Sequence, residues 1–133
     1  MNYFLDSDIC IFALRGQFNS LKNTLERHIP SEVKIPAIVK AELLLGAQKS
    51  SHVKKVLPIL EQFLEPFEIV PFDNQCTEHY SKIRLDLETR GIPIGPNDLL
   101  IAATVTAHHG TLVTHNTKEY GRIPHLKLID WTL

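Results

Sequence analysis

The chain has 133 residues, 44% of them hydrophobic and 22% charged, a composition that excludes a disordered or low-complexity protein and suits one domain over residues 1–133 with a sizeable core. Its 14 basic and 15 acidic residues give a formal net charge of −1, which excludes a uniformly basic nucleic-acid-binding surface unless some acids are neutralised by cations. Two cysteines outside any Cys-x-x-Cys pair, no apolar run of membrane length and no leader-like start set the expectation of a soluble cytoplasmic protein.

In chain order, Tyr3-Phe4-Leu5 is a short β-favouring apolar run that stops at Asp6-Ser7-Asp8, so it reads as a buried strand ending in polar groups. Asp8 or Ser7 is expected to cap a helix over 9–14. Leu21, Leu25 and His28 mark a second helix closed by Pro30, and Val33-Lys34-Ile35 is the next strand. Pro36 suits the first turn of a helix running to about Gln48, in which Glu42 lies at the buried boundary, since Ile38, Leu45 and Gly46 one turn away are apolar or small.

Val53, Val56, Leu57, Leu60 and Phe63 form one face of a further helix, followed by a strand at 67–70 and a helix over 74–90. Gly91-Ile92-Pro93-Ile94-Gly95-Pro96 breaks that helix and leads into Asn97-Asp98 and a segment, 99–107, in which only Thr104 and Thr106 are polar. Such a helix is apolar nearly all round and belongs inside the fold. Asp98 at its mouth is either a cap, a role Asn97 shares, or a carboxylate that must be neutralised. A strand at 111–114, a turn at 118–121 and a last strand at 126–129 complete the chain.

Strands alternating with helices and lacking hairpin signals imply a three-layer α/β/α sandwich around a parallel sheet, whose site lies beyond the carboxyl ends of the strands at the switch in strand order. Asp6, Glu42, Asp98, Asn116 and Glu119 all fall at or near such positions. Hard oxygen ligands without His or Cys at ligand spacing favour Mg²⁺ or Mn²⁺ over zinc, and the matching reaction is metal-assisted phosphodiester hydrolysis. Among the histidines, His115 stands nearest the candidate site.

The ordered set Phe4-Leu5-Asp6-Ser7-Asp8-Ile9, Ala41-Glu42-Leu43, Gly95-Pro96-Asn97-Asp98 with Ile101-Ala102-Ala103, Leu112-Val113-Thr114-His115-Asn116-Thr117-Lys118-Glu119-Tyr120 and Asp130-Trp131 resembles the VapC toxins of the PIN-domain ribonucleases over essentially the whole chain. The resemblance implies about five parallel strands, a Mg²⁺- or Mn²⁺-dependent endoribonuclease acting on RNA with tRNA a common target, a homodimer and a VapB-type antitoxin partner. It carries metal-site roles onto Asp6, Glu42 and Asp98, with Glu119 as fourth acid and Asn116 assisting by hydrogen bonds. The family usually shows Asp-Thr-Asn where this chain has Asp6-Ser7-Asp8. That departure motivates two alternatives: a haloacid-dehalogenase-like phosphatase using Asp6-x-Asp8, and a receiver-like phosphoacceptor with Asp73 as acceptor and Thr114 as switch.

Overall fold

A computed structural model describes residues 1–133. Five three- or four-residue strands, β1 (Tyr3–Leu5), β2 (Val33–Pro36), β3 (Glu68–Val70), β4 (Thr111–Val113) and β5 (Lys127–Ile129), form one sheet in the order β3-β2-β1-β4-β5. Every pairing is parallel, with Tyr3 opposite both Val33 and Thr111. Phe4, Leu5, Ile35, Leu112 and Val113 are fully buried, as expected of strands covered on both faces.

Seven helices surround the sheet: α1 (Ser7–Leu14), α2 (Asn19–Arg27), α3 (Ala37–Lys49), α4 (Val53–Leu64), α5 (Asn74–Thr89), α6 (Pro96–Ala107) and α7 (Thr117–Tyr120). A 3₁₀ turn at Pro30–Glu32 leads into β2. Helix α6 buries seven of its twelve residues, among them Ile101, Ala102, Ala103 and Val105, which matches its nearly unbroken apolar sequence.

Three sequence expectations need correction. Helix α1 begins at Ser7, and its cap is Asp6, whose carboxylate accepts from the Ile9 N–H at 2.9 Å; Ser7 and Asp8 lie inside the first turn. Helix α6 begins at Pro96 after Gly95, so neither Asn97 nor Asp98 caps it. The expected turn at 118–121 is the short helix α7, ending one residue before Gly121.

β1 lies at the centre of the sheet, and the chain winds outward from it first to β2 and β3 and then, on the other side, to β4 and β5. The crevice at the carboxyl ends of β1 and β4 is therefore the switch point of this sheet. Near the C-terminus Trp131, 5% exposed, stacks on His28 with ring centroids 5.0 Å apart and tilts against Tyr3 at 5.1 Å, tying the chain end to the first strand.

Gly110, immediately before β4, has no room for a side chain: a Cβ there would overlap the buried Phe4 ring and stand 3.3 Å from the Asn2 carbonyl. Gly110→Ala is expected to destabilise the fold by about 1–3 kcal/mol, the usual cost of overpacking a ring that cannot move. Urea unfolding measures it; an unchanged midpoint would show that Phe4 has space to yield.

Candidate active site

Asp6, Ser7, Asp8, Glu42, Asp98, Ile101, Asn116 and Tyr120 line one small polar cleft of about 90 Å³ at the carboxyl ends of the strands. Separate parts of the chain deliver these groups. The end of β1 and the start of α1 supply Asp6, Ser7 and Asp8, α3 supplies Glu42, the first turn of α6 supplies Asp98, and the segment after β4 supplies Asn116 and Tyr120. Of the five residues singled out from the sequence, four line this cleft, and Glu119 stands one hydrogen bond behind it through Asn116.

Asp6 is 4% exposed and both its oxygens are engaged. One accepts the Ile9 N–H and the other accepts the Thr114 hydroxyl at 2.5 Å, so β4 and α1 are clamped to the same carboxylate. Burial pushes its pKa up to about 6, the charges of Asp8 and Asp98 add to the rise, and the two hydrogen bonds oppose it.

Asp98 accepts the Tyr120 hydroxyl at 2.9 Å. Its pKa is also pushed up to about 6, chiefly by burial, with Glu119 and Glu42 contributing repulsion. Glu119 behaves oppositely: against the effect of burial, the Gly95 N–H at 3.1 Å and the Asn116 amide at 2.5 Å hold its carboxyl below the usual range. Of that coupled pair, Asp98 retains the proton longer. Tyr120, 2% exposed, has its phenol pushed far up by burial and by the Asp98 charge, so it remains a donor at any working pH.

Glu42 accepts the Ser7 hydroxyl at 2.6 Å, and the Asn97 amide reaches its other oxygen at 3.5 Å. Asp8 is exposed at the cleft mouth. The ion pairs made by Lys and Arg lie elsewhere, at Lys34–Glu68, Arg84–Glu88 and Arg90–Asp86, so no protein cation is paired with the cleft acids. Buried carboxylates without a counter-charge are costly unless an ion or proton joins them.

The donor set is oxygen throughout and suits Mg²⁺ or Mn²⁺. The acids are not drawn together around one point, however: no three His, Cys, Asp or Glu side chains stand close enough to share an ion. Sequence reasoning missed Thr114 and Tyr120 as supports for the site. In the sequence, Thr114 has a part only as the switch of the receiver-like alternative, and Tyr120 only a place in the motif that begins in β4.

The chain matches the PIN domain over residues 3–126. It is 42% identical to the ribonuclease VapC2 of Rickettsia felis over 132 residues, 98% of each chain. It is 30% identical to the tRNA(fMet)-specific endonuclease VapC of Salmonella typhimurium over 131 residues, again 98% of each. The crystal structure of VapBC2 from Rickettsia felis bound to a DNA fragment from their promoter superposes with a TM-score of 0.93 at 41% identity, covering 98% of this chain and 99% of that one.

The raised pKa of Asp6 makes stability depend on pH in a definite direction. Between its ordinary value of 3.8 and about 6 the folded state holds a proton that the unfolded state releases, so stability falls as pH rises through this window and stays lower above it. The loss is on the order of 3 kcal/mol for a shift of about two units. In EDTA, Asp6→Asn is expected to melt higher than the unsubstituted protein at pH 7.5 and to lose that advantage near pH 4. Melting curves that run parallel across this range would contradict the assignment.

Proposed function

This chain belongs to the VapC ribonucleases of the PIN-domain family, and from that premise we propose that it is the toxin of a VapBC-type toxin–antitoxin pair, cleaving RNA with Mg²⁺ or Mn²⁺ held at the carboxylate cleft. The observation that carries the metal-site reading is the meeting of Asp6, Glu42 and Asp98 in one cleft without a Lys or Arg partner. Asp6, Glu42, Asp98 and Glu119 would be the acids to share the ion, though their present spacing does not bring them to one point. Once bound, it supplies the Lewis acidity that activates a water and stabilises the leaving 3′ oxygen.

The chain's own residues do the positioning. Thr114 and the Ile9 N–H fix the Asp6 carboxylate at the strand end. Tyr120 fixes Asp98, and Ser7 and Asn97 fix Glu42. Asn116 and the Gly95 N–H keep Glu119 ionised beside Asp98, so one acid of that pair is charged even when the other carries a proton. Their donors occupy particular lone pairs and leave the remaining carboxylate lone pairs for a cation.

The tRNA specificity named for the Salmonella relative supports a transfer RNA as substrate. The Rickettsia complex supports a VapB-type antitoxin as partner, and the family resemblance supports a homodimer. No helix is long and apolar enough to cross a membrane, in keeping with a single nuclease domain working in the cytoplasm. The phosphatase and receiver alternatives find no support. The matched relatives are ribonucleases, and Asp73, the acceptor a receiver would need, is engaged in capping α5 through the Cys76 N–H at 3.3 Å.

Purified protein is expected to cut RNA only with Mg²⁺ or Mn²⁺ present, and EDTA should stop it. Asp98→Asn and Glu42→Gln should each lower the rate by on the order of a hundredfold or more, beyond the loss usual for outer-shell changes at a metal site. Glu68→Gln, which only loosens the exposed Lys34 ion pair on β3, should leave the rate within about twofold. Cleavage that survives EDTA, or an Asp98→Asn protein that cuts normally, would defeat the metal-site reading.

A further inference from the structure

Beside the carboxylate cleft lies an aromatic surface that the reaction as described does not use. Phe12 on α1, Phe18 at the start of α2 and His115 after β4 come together, with ring centroids 5.0 Å apart for Phe12–Phe18, 6.0 Å for Phe12–His115 and 6.1 Å for Phe18–His115. The surface adjoins the cleft on two sides. Asn116, a cleft residue, directly follows His115, and Phe12 lies one helical turn beyond Asp8, another cleft residue.

Phe18 is poorly placed for stability alone. It stands at the N-cap of α2, where Ser, Thr, Asp or Asn is preferred, and makes no capping hydrogen bond. Its φ of 62° is a left-handed conformation that bulky residues rarely adopt. In spite of both costs the residue is 42% exposed, so burial is an incomplete return.

His115 is held at one edge and free at the other. Its Nδ1 lies 2.9 Å from an Asp130 oxygen. Although burial opposes it, the Thr132 hydroxyl and N–H, with His115, keep the Asp130 carboxyl below the usual range. An ionised carboxylate only accepts, so Nδ1 carries the proton and Nε2 is the ring nitrogen left for a ligand. Nε2 makes no hydrogen bond within the molecule, and the side chain is 51% exposed.

We propose that Phe18, backed by Phe12 and edged by His115, is a stacking platform for an unpaired RNA base next to the phosphodiester being cut. This rests on the ribonuclease reading and adds a base-binding subsite to it. Splayed bases of single-stranded RNA bind by stacking on aromatic faces and by hydrogen bonds along their polar edges. The platform supplies a face in Phe18 and a polar edge in His115 Nε2, backed by the ring of Phe12. Asp130 and Thr132 are positioning residues that set the His115 ring.

The test uses the full chain and a short single-stranded RNA that the unsubstituted protein cleaves. Phe18→Ala is expected to raise KM about five- to a hundredfold with kcat within about twofold, the range expected for losing one base stack. Phe18→Trp should restore KM. The chain's one natural tryptophan, Trp131, is buried, so RNA added to Phe18→Trp in the Asp98→Asn background should quench fluorescence arising at position 18. The Trp variant also decides the matter if Phe18→Ala fails to fold. An unchanged KM for Phe18→Ala, or no quenching by RNA, overturns the platform while leaving a ribonuclease that still cuts. Failure of the unsubstituted protein to cut any RNA with Mg²⁺ or Mn²⁺ overturns the ribonuclease reading and the platform with it.

Discussion

Burying Asp6 at the end of the central strand is the constraint on which the rest of the site depends. A carboxylate 4% exposed and without a protein cation is tolerable only if its lone pairs are met, and the donors come from two distant parts of the chain, the Ile9 N–H of α1 and the Thr114 hydroxyl beyond β4. The same carboxylate therefore starts a helix, joins the two strands that flank the switch point and places an uncompensated negative charge at the cleft. Strand order and site chemistry are coupled through one side chain.

The second tier repeats this economy. Tyr120 is part of the hydrophobic core and also the donor that orients Asp98, so the packing of α7 sets the position of an acid on α6. Glu119, next in sequence, reaches the Gly95 N–H just before α6. A four-residue helix thus holds the mouth of a twelve-residue one by two hydrogen bonds and a buried ring. Because Asp98 and Glu119 repel each other, their protonation is divided: burial and repulsion keep the proton on Asp98, while two donors keep Glu119 charged. An arrangement of this kind is destabilising to an isolated protein, a pattern expected of functional sites more than of structural ion pairs.

Much of the fold was legible beforehand because the local signals agree with one another. Short, mainly apolar or β-branched runs of three or four residues marked all five strands, and helical periodicity marked the helices between them. The acids that line the cleft were legible too: Asp6, Asp8 and Asp98 fall at a strand end or helix start that a parallel sheet brings to one side, and Glu42 interrupts the apolar run of α3. Errors gathered where neighbouring residues offer equivalent chemistry. Asp6, Ser7 and Asp8 are all good caps in isolation, as are Asn97 and Asp98, and nothing local ranks them.

The sequence by itself determined the alternation of elements, the parallel sheet, the candidate acids and the family resemblance, since periodicity, turn residues and ordered motifs are properties of the chain read along its length. Tertiary structure decided which acid caps α1, because Thr114, 108 positions away, engages the second oxygen of Asp6 and holds that carboxylate at the strand end. It decided that Tyr120 orients Asp98 and that Phe12, Phe18 and His115 share a surface. Those choices depend on distances between residues far apart in sequence, which exist only once the sheet has brought the ends of β1 and β4 side by side.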